Sequence, residues 1–228
     1  MNLPNKLTLG RIFLSIIILL LLGCPVYMFG FSWPQYLLGG KIVIQLNYII
    51  AGILFVIASL TDMLDGKIAR KYNMVTDFGK MMDAIADKVL VNGVLILLAY
   101  NHNLPVIVPI VIILRDTVVD AIKMASGAKG KVVAASKAGK VKTACMMVGL
   151  TLVLFSNIPF EFFGIGVGKG LVLLATCLSV YSGMEYYIVN KDLIFIEAWF
   201  MGVLVLTSIF FYRRRDFMKY FCVGIKGS

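Results

Sequence analysis

The sequence predicts an all-α polytopic membrane protein: a six-transmembrane-helix bundle, with an extra C-terminal apolar segment after it. Three observations carry this expectation. Of 228 residues, 60% are hydrophobic and 15% charged, a balance foreign to soluble domains. Apolar runs recur along the chain, each about long enough to cross a hydrocarbon core of roughly 30 Å. The runs are continuous rather than alternating, and in lipid the backbone is satisfied only by helices or closed barrels, so the runs read as helices.

The first helix is placed at Leu7–Tyr27, where Lys6 and Arg11 precede the apolar stretch Ile12–Leu22. A secretory signal opens similarly, but Gly23, Cys24 and Pro25 follow instead of a small-residue cleavage pattern, so an uncleaved helix is preferred. The next spans are Leu46–Leu60, Met81–Tyr100, Val106–Met124, Val141–Phe155 and Val167–Ile188. A seventh apolar run, Leu193–Phe211, carries Glu197 and leads to Arg213, Arg214 and Arg215. No repeat or low-complexity linker divides the chain. The chain therefore reads as one domain, and the topology of its C-terminal apolar run and basic tail stays open. The four cysteines (Cys24, Cys145, Cys177, Cys222) form no C-x-x-C pair, so neither disulfides nor zinc are expected. The single histidine, His102, sits in the turn NHNLP and reads as solvated surface.

The net charge of +10 is distributed by side. Lys6 and Arg11 mark one face. Lys67, Arg70 and Lys71 return to it two crossings later, and Lys123, Lys129, Lys131, Lys137, Lys140 and Lys142 two crossings after that. The opposite loops carry Lys41 as their only Lys or Arg. The positive-inside rule makes the basic side cytoplasmic and the protein a multi-pass component of the cytoplasmic membrane. If the seventh run crosses, its three arginines break that rule; if it lies along the interface, they anchor it. Because the basic residues flank apolar runs, nucleic acid is not the expected partner; membrane lipids or an anionic substrate are.

The acidic residues are concentrated where a membrane helix should avoid them. Of twelve, five (Asp62, Asp65, Asp77, Asp83 and Asp87) lie within residues 61–88. Asp62 and Asp65 are spaced i, i+3 near the cytoplasmic end of the second span; Gly79, Asp83 and Asp87 repeat every four residues and share a drifting helical face. One ionised Asp within a bilayer costs about 2.5–3.5 kcal/mol on insertion scales, and four facing one another also repel. Hard divalent cations resolve both problems, since carboxylate oxygens suit Mg²⁺, Mn²⁺ or Ca²⁺, and two bridged ions are a common device of phosphoryl chemistry. Gly66, Ala69 and Gly79 leave room for a ligand near the backbone; tight helix packing explains them equally well.

The complete pattern D-x2-D-G-x2-A-R-x8-G-x3-D-x3-D, formed by Asp62, Asp65, Gly66, Ala69, Arg70, Gly79, Asp83 and Asp87, resembles the signature of the CDP-alcohol phosphotransferases. The stretches NLPNKLTLGR (2–11), TDFGKMMDAIADKVLV and AASKAGKVKTACMM look like the bacterial phosphatidylglycerophosphate synthase branch, and the likeness covers residues 1–190. It implies transfer of a phosphatidyl group from CDP-diacylglycerol to sn-glycerol 3-phosphate with release of CMP. It also implies two divalent cations, Mg²⁺ or Mn²⁺, held by Asp62, Asp65, Asp83 and Asp87, with Asp87 as the base. Gly66, Ala69, Arg70 and Gly79 then hold the CDP-lipid, and a homodimer is expected. The chain departs from the pattern at Ala84, where proline is usual, and in LRDTVVDAIKMA (114–125), where Asp116, Ala121 and Lys123 replace Glu, Gly and Arg. The Lys123 change matters most, because only Arg binds phosphate bidentately.

A phosphorylated acceptor needs cations, and Arg115, Lys123, Lys140 and Lys142 are the expected set; a cluster contacting anionic lipids is the alternative for the lysines. Asn5, Thr8 and Arg11 are candidates to line the site from the first helix, a position that a helix-start and interface role explains equally. Two rival functions remain. One keeps the chemistry with another acceptor: phosphatidylglycerol, serine or an inositol phosphate. The other is a divalent-cation transporter, which wants its carboxylates near mid-membrane on broken helices rather than at helix ends.

Overall fold

The apolar runs are helical, and the helices reach further into the polar stretches than the runs themselves do. The computed structural model describes residues 3–24, 30, 32–39, 42–72, 77–128 and 137–194. Among these, α1 spans Leu3–Gly23, α2 Leu46–Lys71, α3 Asp77–Tyr100, α4 Ile107–Ala128, α5 Lys137–Leu154 and α6 Val167–Ile194. Helix α2 continues past Leu60 for about three further turns, so Asp62 and Asp65 stand on regular helix. Helix α3 starts at Asp77, ahead of Met81, and carries Asp83 and Asp87. The run expected at Leu193–Phe211 meets α6 only at its first two residues; the remainder, with Arg213–Arg215, lies outside the described residues.

Two windows, Leu46–Gly66 and Val167–Val189, are long and apolar enough to cross a membrane, and α1 holds a shorter apolar stretch, Leu7–Gly23. Charge interrupts the others: Asp83, Asp87 and Lys88 in α3, Arg115, Asp116, Asp120 and Lys123 in α4, and Lys137, Lys140 and Lys142 in α5. Only 28% of each long window is buried, whereas the core helix of a soluble protein is mostly buried. Large apolar side chains such as Phe13, Leu20, Leu114, Tyr181 and Ile188 point outward, an exterior suited to lipid.

The expectation of an all-α chain needs one correction. Between α1 and α2 lies an antiparallel hairpin, β1 (Gln35–Leu38) with β2 (Ile42–Gln45), paired Gln35 to Gln45 and Leu38 to Ile42. Its turn includes Gly39 at φ +59°, a left-handed conformation that glycine adopts without strain. In β2 the side chains alternate, with Ile42 and Ile44 buried and Val43 exposed, the period-two pattern of a half-buried strand.

By contact the chain groups into two units, Met1–Asp116 with Ala135–Ser182, and Thr117–Ala134 with Gly183–Ser228. In the first, α1 packs on α2 and α3, and α5 packs on α2 and α3. Ile18, Phe55, Leu90, Leu95, Ile112, Leu150 and Leu154 form its apolar core. In the second, Val119, Ile122 and Tyr186 are buried, and the Lys123 ammonium lies 5.8 Å from the centre of the Tyr186 ring.

Glycines set the approach of α5 to α6. A Cβ at Gly149 meets the backbone nitrogen of Val172 at 3.0 Å, and one at Gly168 meets that of Val153 at 3.1 Å. Backbone cannot step aside as a side-chain tip can, so Gly149→Leu is expected to cost about 1–3 kcal/mol. Thermal unfolding in detergent should show a lowered midpoint for this variant. Gly170→Leu, at a position where a Cβ has nothing within 4 Å, should leave the midpoint near the parent value.

Candidate active site

The carboxylate pattern becomes a three-helix junction. Asp62 and Asp65 project from α2 and Asp83 and Asp87 from α3, because spacings of three and four residues keep each pair on one face. The third contributor is Arg11 of α1. Its side chain is fully buried and is the largest completely buried one among the described residues. Nη1 donates to Asp83 Oδ1 at 2.8 Å and to Asp87 Oδ1 at 3.2 Å, and lies 2.5 Å from Asp62 Oδ1. Nη2 donates to Asp65 Oδ2, and Asp65 is itself buried. The flat guanidinium, which presents donors along two edges and stays protonated, suits a position among several carboxylates.

Among the described residues, four carboxylates meet one cation, Arg11, at the junction. Oxygens of Asp62, Asp65 and Asp83 lie within 4.8 Å of one another, close enough to share a metal ion. The donor set is all oxygen, which fits Mg²⁺, Mn²⁺ or Ca²⁺ and not a thiolate- or imidazole-preferring metal. Asp62, Asp83 and Asp87 are partly exposed, at 30%, 44% and 42% of their side chains, whereas Arg11 and Asp65 are buried.

Other sequence candidates divide. Gly66 and Gly79 lie on α2 and α3, on either side of the break between those helices. The side chains of Asn5, Ala69 and Arg70 lie outside the described residues. Thr8 is buried one turn before Arg11 on α1. Of the four expected acceptor cations, Arg115 and Lys142 come together on Asp116, whose Oδ1 accepts from Arg115 Nη1 at 2.9 Å and from Lys142 Nζ at 2.7 Å. Lys140 is exposed, and Lys123 belongs to the second unit, beside Tyr186.

Three residues of this second cluster are not among the sequence candidates. Asp116 is one; the sequence marks it only as a departure from glutamate. The others are Ser179 and Ser182 of α6: Arg115 Nε donates to the Ser179 carbonyl at 3.0 Å, and Nη2 to Ser182 Oγ at 2.9 Å. The available signal is a pair of serines at i, i+3 on an apolar helix, both buried in the structure. Every nitrogen of the Arg115 guanidinium is thereby engaged, and its plane is held.

Asp116→Ala leaves two cations without their shared carboxylate. Because the pair is mostly buried, the loss should be about 1–3 kcal/mol, discounted for the partial exposure of Asp116. A lowered thermal midpoint, recovered more by millimolar inorganic phosphate in the variant than in the parent protein, is the expected result.

Known proteins resemble this chain along most of its length. The family model described as CDP-alcohol phosphatidyltransferase matches residues 1–181. A Bacillus subtilis protein named CDP-diacylglycerol–glycerol-3-phosphate 3-phosphatidyltransferase is 38% identical over 191 residues, covering 84% of this chain and 96% of the relative. Proteins of the same name from Mycoplasma pneumoniae (37% over 156 residues, 68% of each chain) and Rickettsia felis (32% over 187 residues, 82% of this chain and 93% of the relative) are also similar.

Proposed function

The chain belongs to the CDP-alcohol phosphatidyltransferases, and we propose that it transfers the phosphatidyl group of CDP-diacylglycerol to sn-glycerol 3-phosphate, giving phosphatidylglycerophosphate and CMP in phospholipid synthesis. The observation that carries the reading is the meeting of all four motif carboxylates at one junction, in a chain whose relatives bear that activity as their name. The protein is an enzyme of the transferase class. We place it in the cytoplasmic membrane with six crossings, its basic side and active site toward the cytoplasm, and as a homodimer. The apolar exterior supports the membrane setting, and the loop charges support the orientation. Residues 1–190 form the catalytic domain in this reading, with 191–228 an appended segment.

Asp62, Asp65, Asp83 and Asp87 are assigned to two divalent cations, Mg²⁺ or Mn²⁺. Such ions supply positive charge to the diphosphate oxygens and to the departing CMP. Gly66, Ala69, Arg70 and Gly79 border the CDP-lipid, where the glycines let it come close to the backbone. Arg115, Lys140 and Lys142, all of the first unit, are assigned to the acceptor phosphate. The fixed plane of Arg115 supports a bidentate hold, and Lys142 adds a point charge beside it. Asn5, Thr8 and Arg11 border the site from α1.

Asp87 takes the proton from the acceptor hydroxyl. That oxygen then forms a bond to the β-phosphorus as the bond from that phosphorus to the CMP oxygen breaks. The trio of carboxylates within metal-sharing distance leaves Asp87 out, which supports its use as the base.

The direct test is a product assay with CDP-diacylglycerol and a panel of acceptors: glycerol 3-phosphate, phosphatidylglycerol, serine and inositol phosphate. Phosphatidylglycerophosphate and CMP should form from glycerol 3-phosphate in Mg²⁺ or Mn²⁺ and cease after chelation. Turnover of another alcohol alone refutes the acceptor, and full activity after exhaustive chelation refutes the metal assignment.

The base has its own test. Asp87→Asn keeps shape and removes basicity, so turnover at saturating metal and both substrates should fall about 10²–10⁴-fold while CDP-diacylglycerol still binds. Near-parental turnover under those conditions leaves Asp87 as a ligand only.

A further inference from the structure

We infer that Arg11 is an internal counter-cation of the carboxylate junction: it holds the four aspartates together and competes with divalent cations for their oxygens. The identity of the competing ion rests on the metal-dependent reaction proposed above; the rest comes from geometry. Arg11 is completely buried and touches all four carboxylates, each through an Nη group. The three aspartates able to share a metal ion are among those it holds. A cation entering that set must share or take oxygens already bonded to the guanidinium, and two positive groups on one set of oxygens repel. Arg11 cannot relieve this by losing its proton.

The guanidinium is also held from one side only. Its Nε is buried without a hydrogen-bond partner, so among the described residues the carboxylates alone orient it. As those oxygens turn toward a metal ion, no other hydrogen bond among the described residues fixes the guanidinium in place. Within α1 the Arg11 carbonyl accepts from Ser15 Oγ at 2.8 Å. Arg11 thus acts as a positioning residue for an apolar-flanked acidic cluster that would otherwise need metal to stay assembled.

The test compares the parent protein, Arg11→Gln and Arg11→Lys, purified in detergent without substrates and titrated with Mn²⁺. Bound ion is read by electron paramagnetic resonance and stability by thermal unfolding. Without metal, Arg11→Gln should unfold below the parent. Mn²⁺ should raise its midpoint more than the parent's, and its Mn²⁺ dissociation constant should fall by about tenfold or more, the scale expected for removing a unit charge a few ångströms from the ion. Arg11→Lys should lie between, because one ammonium reaches fewer carboxylates than the fork does. A merely structural arginine predicts a lowered midpoint with unchanged Mn²⁺ affinity, and that result overturns the inference. Where Arg11→Gln does not fold, equal or weaker Mn²⁺ binding by Arg11→Lys overturns it. Absence of Mn²⁺ binding from the parent and both variants alike removes the metal reading as well, whereas parental binding with unchanged variants removes this inference alone.

Discussion

The structure depends on bringing four carboxylates to one place in a chain that is otherwise built for lipid. Each ionised Asp in such surroundings costs energy, and each neighbour of like charge adds to the cost. Arg11 offsets this with two Nη groups reaching aspartates on two other helices. The contact ties α1, α2 and α3 at one level, and the apolar core of Ile18, Phe55, Leu90 and Leu95 continues along the same three helices. Registry of the helices and assembly of the acidic junction are thus one event: a turn of slip on any of them breaks both.

A second electrostatic device in the first unit has the opposite sign. At Asp116 one carboxylate serves two cations, Arg115 and Lys142, whereas at Arg11 one cation serves four carboxylates. The acidic junction attracts cations and the basic cluster attracts anions. The serine contacts from α6 hold the Arg115 plane, which a lysine there would not allow.

Small residues and the hairpin shape the remainder. Gly149 and Gly168 let α5 and α6 approach to backbone contact, which a side chain at either position would block. The hairpin takes a different course. Its backbone groups pair with each other across Gly39, so the segment between α1 and α2 satisfies its hydrogen bonds without helix.

Helices, motif and helix faces are legible in the order of residues alone. Helical periodicity and continuous apolar runs are local properties, and spacings of three and four put Asp62 with Asp65 and Asp83 with Asp87 whatever else the chain does. The family is legible for the same reason, since its signature lies within residues 62–87. Which groups meet across helices is a matter of packing. Arg11 lies 54 residues from Asp65 and 76 from Asp87, and Arg115 lies 64 and 67 residues from its serine partners. No periodicity links positions so far apart; they become neighbours only when helices pack. The hairpin is hidden for a different reason. Its alternation spans four residues per strand, too short to stand out against long apolar runs, and Gly39 in the turn is the one local sign. An ion pair is chosen by distance in space, which a sequence does not display, while a helix face is chosen by spacing along the chain, which it does.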